Sequence, residues 1–176
     1  MRKTTRHSAR VPSFLDAQFP RFQIPPGAWG LMGLGLASCA ERLPEDVRNY
    51  QSDCLLMTEG IAEVPDDPHR GTKNVYACNA SYDELRANAR PFADGVIMVK
   101  EATRADADFV WLVSTARKID GGWQWDEYTR NFDDEDFVHI ISGEGACIDC
   151  HRDVSIPAFD WIFSRCNVPE CLGTAE

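Results

Sequence analysis

Two cysteines three residues apart, with a histidine beside the second, are the residues here whose types and spacing can do chemistry: Cys147-Ile148-Asp149-Cys150-His151. C-x-x-C-H is the attachment pattern of a c-type haem. Two thiols so placed can each reach one vinyl group of a porphyrin. The adjacent imidazole then lies beneath the ring and points at the iron. On this reading Cys147 and Cys150 carry one covalent haem c, and His151 is the proximal ligand. Two other uses of the pattern compete. A thioredoxin-like redox pair sits at a helix start after a strand in a βαβ unit, and no such unit is legible. A zinc site needs a fourth ligand, which His69, His139, Cys166 or Cys171 could supply.

The position of the motif adds a second constraint. Electron-transfer cytochromes c carry it near the N-terminus and take a later methionine as second axial ligand. Here the methionines are Met1, Met32, Met57 and Met98, all before His151. The expected iron is therefore five-coordinate with an open face, able to bind a gas or turn over a substrate. A plain electron carrier would need Met57 or Met98 as its sixth ligand.

The elements that must position this motif read as strands and short helices. Pro44 with Glu45 and Asp46 opens a helix over 43–52, Pro at the first position and acids in the first turn. Strands follow over 54–64 and 73–78, separated by the Pro/Asp/Gly-rich loop 65–71. Ser81 and Glu84 form a capping box for a short helix that Pro91 ends. Apolar runs at 95–100 and 109–115 read as buried strands, and Gly121-Gly122 as the hairpin turn into a strand over 123–128. After the motif a helix is expected, with Pro157 in its first turn, reaching about Cys166. The fold class is α+β, a mainly antiparallel sheet with flanking helices.

Charge and leader narrow the setting. The 176 residues carry a net charge of −10, distributed as +4 over residues 1–38 and −14 over the rest. So acidic a body is a poor match for nucleic acid and suits a small neutral or cationic substrate, or a basic redox partner. The apolar run Trp29–Cys39, basic residues before it and acidic ones after, has the layout of an export signal. Leu36-Ala37-Ser38-Cys39 resembles the lipobox of bacterial lipoproteins, in which the cysteine is acylated. The basic region ahead of the run is long, so translation is expected to start further in. The division expected is an export segment, 1–38, and a single domain, 39–176, in the periplasm and anchored by lipid at Cys39. Seven cysteines in an exported chain allow disulfides, and Cys54, Cys78, Cys166 and Cys171 are available with their pairing open.

Four stretches, in order over roughly residues 48–166, resemble the cytochrome P-460 and cytochrome c′-beta proteins. Lys73-Asn74-Val75-Tyr76 with Ser81-Tyr82 is similar to a "VY…N…Y" segment of that family. Residues 94–101, Asp94-Gly95 through Lys100-Glu101, resemble its "DG…VKE" strand, and Gly121-Gly122-Trp123 its "GGW" turn. The motif followed by Asp160-Trp161-Ile162-Phe163-Ser164-Arg165 is similar to "CxxCH…D-x-VFTR". The resemblance implies a homodimer with the haem between the sheet and C-terminal helices. It implies one of two activities, hydroxylamine oxidation, or binding of nitric oxide or carbon monoxide without turnover.

It also implies roles for particular residues. In hydroxylamine-oxidising members the lysine matching Lys100 is bonded to the haem ring; by residue logic alone, a lysine ending a buried strand snorkels to solvent. A distal acid that takes protons from substrate falls nearest Asp126, with Glu127 expected on the opposite face. Asp126 is one methylene shorter than the family's glutamate. Arg165 is matched to a haem propionate, and Trp111, Trp123 and Trp161 to pocket walls or ordinary core.

Overall fold

The computed structural model describes residues 42–143, 145–154, 160–162 and 164–173. They fall within one compact unit, Ser38–Glu176. The export segment, Cys39 and Pro157 lie outside the described residues. Six strands form one antiparallel sheet in the order of the chain: β1 (Leu55–Ile61), β2 (Thr72–Cys78), β3 (Ile97–Thr103), β4 (Val110–Ile119), β5 (Gly122–Thr129) and β6 (Val138–Ser142). Short helices flank it: α1 (Tyr50–Asp53), α2 (Tyr82–Arg86), α3 (Ala146–Val154) and α4 (Pro169–Leu172). This is the α+β class the sequence implies.

Strand parity divides the core into two layers. One face carries Met57, Val75, Ala77, Met98, Ala116 and Trp125, covered by Leu85, Phe92, Ile162, Val168 and Cys171. The other carries Tyr76, Cys78, Ile97, Val99, Val113 and Tyr128, covered by Leu43, Val47 and Tyr50. Both faces of the central strands are buried, which is why their sequences read as apolar runs rather than alternations.

Several elements differ from the sequence expectation, each for a local reason. The helix expected over 43–52 is a 3-10 turn at Glu45–Val47 and a single α turn, α1. The β4–β5 hairpin turns on Asp120 and Gly121, both with positive φ (51° and 76°), and Gly122 begins β5. Two consecutive positive φ values make the primed turn that matches strand twist. β6 has no counterpart in the sequence reading. The helix after the motif is α3, which contains the motif itself, and residues 164–168 are not helical. The capping box at Ser81 forms as expected: the Ser81 hydroxyl accepts from the Glu84 N–H, and the Ser81 N–H donates to the Glu84 carboxylate.

Cys54 is bonded to Cys78 and Cys166 to Cys171, with Cα–Cα distances of 4.4 and 5.5 Å. The first joins the entry of β1 to the end of β2. The second closes the turn that leads into α4.

Candidate functional site

The first turns of α3 bear the motif. Cys147 and Cys150 are three apart on the helix and Cys147 and His151 four apart, so Cys147 neighbours both. Cys147 is half-buried against the apolar layer and Cys150 is exposed; among the described residues they are the two free thiols. His151 lies against the Trp125 ring, centroids 4.3 Å apart, and its Nδ1–H donates to the Trp161 carbonyl at 2.9 Å. That bond puts the imidazole lone pair on Nε2, the nitrogen that can take a metal. Burial pulls the His151 pKa down to about 4, against the Trp161 bond, with the Lys100 and His69 charges pulling the same way as burial. The ring is therefore neutral at ordinary pH.

The wall facing this helix is a row across three strands. Lys100 on β3 pairs with Ser114 on β4, and Ser114 with Glu127 on β5. All three share the face of Met98 and Trp125. The Ser114 hydroxyl donates to Glu127 Oε1 at 2.8 Å. His69 reaches in from the β1–β2 loop, its Nε2–H donating to Glu127 Oε1 at 2.9 Å and its Nδ1 accepting from Lys100 Nζ at 3.0 Å. The loop is fastened from beneath. Asp67 accepts the His69 backbone N–H at 2.9 Å and pairs with Lys73, whose Nζ also donates to the Gly71 carbonyl at 3.0 Å. Gly71 has φ +100°, and a Cβ there would run into the Thr103 carbonyl. Only glycine lets the loop cross β3 so closely.

The electrostatics of this row follow from its burial. Desolvation pulls the Lys100 amine down to about 8, although Glu127 and Asp67 favour its charge. Burial alone would raise Glu127, but the His69 and Ser114 hydrogen bonds and the Lys100 charge outweigh it and hold the carboxyl below its usual range. The Cys147 thiol is pushed up by burial and by Glu127, with Lys100 opposing. The motif and the row are thus within electrostatic reach of one another.

The acid expected near the haem and the row do not coincide. Asp126 is not in the row. It lies on the other face, accepting from Ser142 at 3.1 Å and 3.2 Å from His139 Nε2. Glu127 is the acid beside Lys100, because Trp123, Trp125 and Glu127 share one parity and the two tryptophans face the core. His69, named only as a candidate zinc ligand, and Trp125 were not expected beside the motif. Trp125 had a signal in that same alternation; His69 stands in a loop without periodicity. Of the other residues expected, Trp123 and Trp161 pack on the helix-bearing layer. Trp111 lies under Arg104 and donates to the Arg70 carbonyl. Arg165 is exposed, its carbonyl accepting from the Thr58 hydroxyl at 2.6 Å. Met57 and Met98 are both buried in the helix-bearing layer.

The donors fit a covalently held haem. Two unbridged thiols stand one turn apart beside an imidazole of fixed tautomer. The buried Trp125 indole N–H next to it has no acceptor among the described residues, although such groups nearly always find one. The competing zinc set loses Cys166 and Cys171 to their disulfide. Among the described residues, no three or more His, Cys, Asp and Glu side chains are grouped to hold a metal ion. No family model matches the chain, and no curated protein matches it.

Proposed function

We propose that this is an exported monohaem c-type cytochrome of the P-460 and c′-beta kind, which oxidises hydroxylamine at a five-coordinate haem. The observation that carries the reading is the meeting of two features. The C-x-x-C-H helix presents a neutral His151 of fixed tautomer. Its Cys147 lies in the field of a half-buried lysine, Lys100, and a buried glutamate, Glu127. Cys147 and Cys150 would hold the ring, between the sheet and the C-terminal helices, and His151 the iron. Arg90, whose Nε is buried without an acceptor among the described residues, and Arg165 are the guanidiniums suited to the propionates.

The haem, when bound, supplies an open iron position and an electron sink. The chain supplies the proton chemistry. Taking electrons from hydroxylamine releases protons, and an acceptor must stand beside the substrate. Glu127 is kept ionised by its His69 and Ser114 hydrogen bonds and fills that role, in place of Asp126. His69 links it to the loop and to Lys100. The Lys100 amine, with its pKa drawn down to about 8, is neutral more often than an ordinary lysine at the same pH and is suited to bond the ring. The second reading, a nitric oxide or carbon monoxide binder without turnover, is favoured by the hydrogen bond that engages Lys100 with His69. The two disulfides agree with export to the periplasm. A lipid anchor at Cys39, a homodimer and a basic redox partner complete the reading. No described helix is long and apolar enough to cross a membrane.

Peptide mass spectrometry on protein made in cells that mature c-type haem tests this. Haem mass joining the Cys147–His151 peptide to the Lys100 peptide is the expected result. Haem on the cysteine peptide alone moves the assignment to gas binding, and absence of haem ends it. In the oxidase, Glu127→Gln lowers turnover about 100-fold with haem attachment intact.

A further inference from the structure

Lys118 and Asp160 form a buried ion pair that the proposed reaction does not use. Lys118 is 2% exposed on β4, yet its Nζ donates to both Asp160 carboxylate oxygens, at 2.7 and 2.9 Å. Asp160 Oδ2 also accepts the Phe92 N–H at 2.9 Å, and the Asp160 carbonyl accepts the Trp123 indole N–H at 2.9 Å. Three separate parts of the chain therefore grip this one residue.

The grip coincides with unusual backbone. Asp160 and the bulky Trp161 have consecutive positive φ values, 49° and 65°. Such a conformation persists where surrounding structure over-determines it. What the turn delivers is the Trp161 carbonyl, aimed at His151 Nδ1–H. Groups that orient a metal-binding imidazole fix its tautomer and set its basicity.

We propose that Lys118 and Asp160 are positioning residues for His151. Their ion pair holds the 160–161 turn in the left-handed form that presents the Trp161 carbonyl, and through it sets the tautomer and donor strength of the imidazole. The inference rests on the reading of His151 as the iron ligand.

Removing one partner would strand a buried charge, so the test uses the double exchange Lys118→Met with Asp160→Asn. A milder variant, Trp123→Phe, deletes one bond to the Asp160 carbonyl and no charge. Nitrogen-15 NMR of the full chain made without haem attachment reads the His151 tautomer. Resonance Raman of the ferrous haem-loaded chain reads the iron–histidine stretch. Wild-type protein is expected to show the Nδ1–H tautomer alone. The folded double variant is expected to show mixed tautomers and a stretch shifted to lower frequency, with haem still attached. Trp123→Phe shifts both the same way by less, and it carries the test if the double variant does not fold. Wild-type tautomer and stretch in a folded variant overturn the proposal. If the wild type takes up no haem, the ligand reading of His151 falls, and the tautomer measurement alone decides whether the clamp positions the ring.

Discussion

Lys100 and Glu101 are neighbours on β3, and parity sends them to opposite faces of the sheet. Glu101 is buried and Lys100 half-buried, and their surroundings differ. Glu101 accepts four hydrogen bonds from neutral donors: Tyr50 hydroxyl at 2.6 Å, Gln51 amide at 2.7 Å, Asn74 amide at 2.8 Å and Tyr76 hydroxyl at 3.2 Å. Both of its oxygens are occupied, and the bonds tie α1 and β2 to β3. Desolvation and the Glu101 carboxylate push the Tyr50 hydroxyl well above its usual pKa, so these donors keep their protons. Lys100 instead meets a histidine on a loop and a carboxylate whose proton affinity depends on that histidine. One face is a closed network that fixes structure. The other holds Lys100, whose amine is drawn down to about 8.

Changes on the Glu101 face are expected to cost stability and leave the haem chemistry alone. The largest is loss of the Cys54–Cys78 disulfide, which closes a loop of sequence separation 24. Replacing both cysteines by serine is expected to cost about 3 kcal/mol, measured by urea unfolding, with an unchanged absorption spectrum. Next is Glu101→Gln. It sets an amide donor against the Tyr and Asn donors and is expected to cost about 2 kcal/mol. A shifted haem spectrum in either variant would break the division between the faces.

How much of this the sequence shows depends on whether a residue's role lies in its side chain and its parity. The central strands were legible because residues 96–99 and 112–113 are buried on both faces. β6 was not, since Val138, Ile140 and Ile141 are exposed on an edge strand and obey no burial pattern. Cys147, Cys150 and His151 were legible because their chemistry needs only local spacing. The choice between Asp126 and Glu127 needed the parity of Trp123 and Trp125. That His69 links Glu127 to Lys100 depends on a loop contact across the sheet, which no local pattern encodes. The Trp161 carbonyl is backbone, so its residue type carries no sign of its role.

On the other face, Lys100→Met in the haem-free chain gives a pH-dependent effect. The folded Lys100 pKa is about 8 against the usual 10.5, so between these values the folded chain binds fewer protons than the unfolded chain. Its stability then rises with pH across that window, and below about 8 the penalty is complete. Relative to Lys100→Met, wild type is expected to gain about 1 kcal/mol per pH unit from pH 8 to 10. Parallel unfolding curves for the two proteins across this window would mean that Lys100 is solvated rather than buried.

The smallest effect sharpens the comparison most. Asp126 and Glu127 are adjacent acids on β5, and the sheet separates them as it separates Lys100 from Glu101. Among the described residues, the Asp126 carboxylate has Ser142 and His139 of β6 as its hydrogen-bond partners. Asp126→Asn keeps an acceptor for the Ser142 hydroxyl and removes a charge from a partly exposed pair, so its cost should be about 0.5 kcal/mol. Hydroxylamine turnover or nitric oxide affinity, whichever the haem-loaded protein displays, should stay within about twofold of wild type, since Asp126 points to the face opposite Lys100 and Glu127. A drop comparable to that of Glu127→Gln would put the working acid on the β6 edge and remove the proton-exchanging role from the Lys100 face.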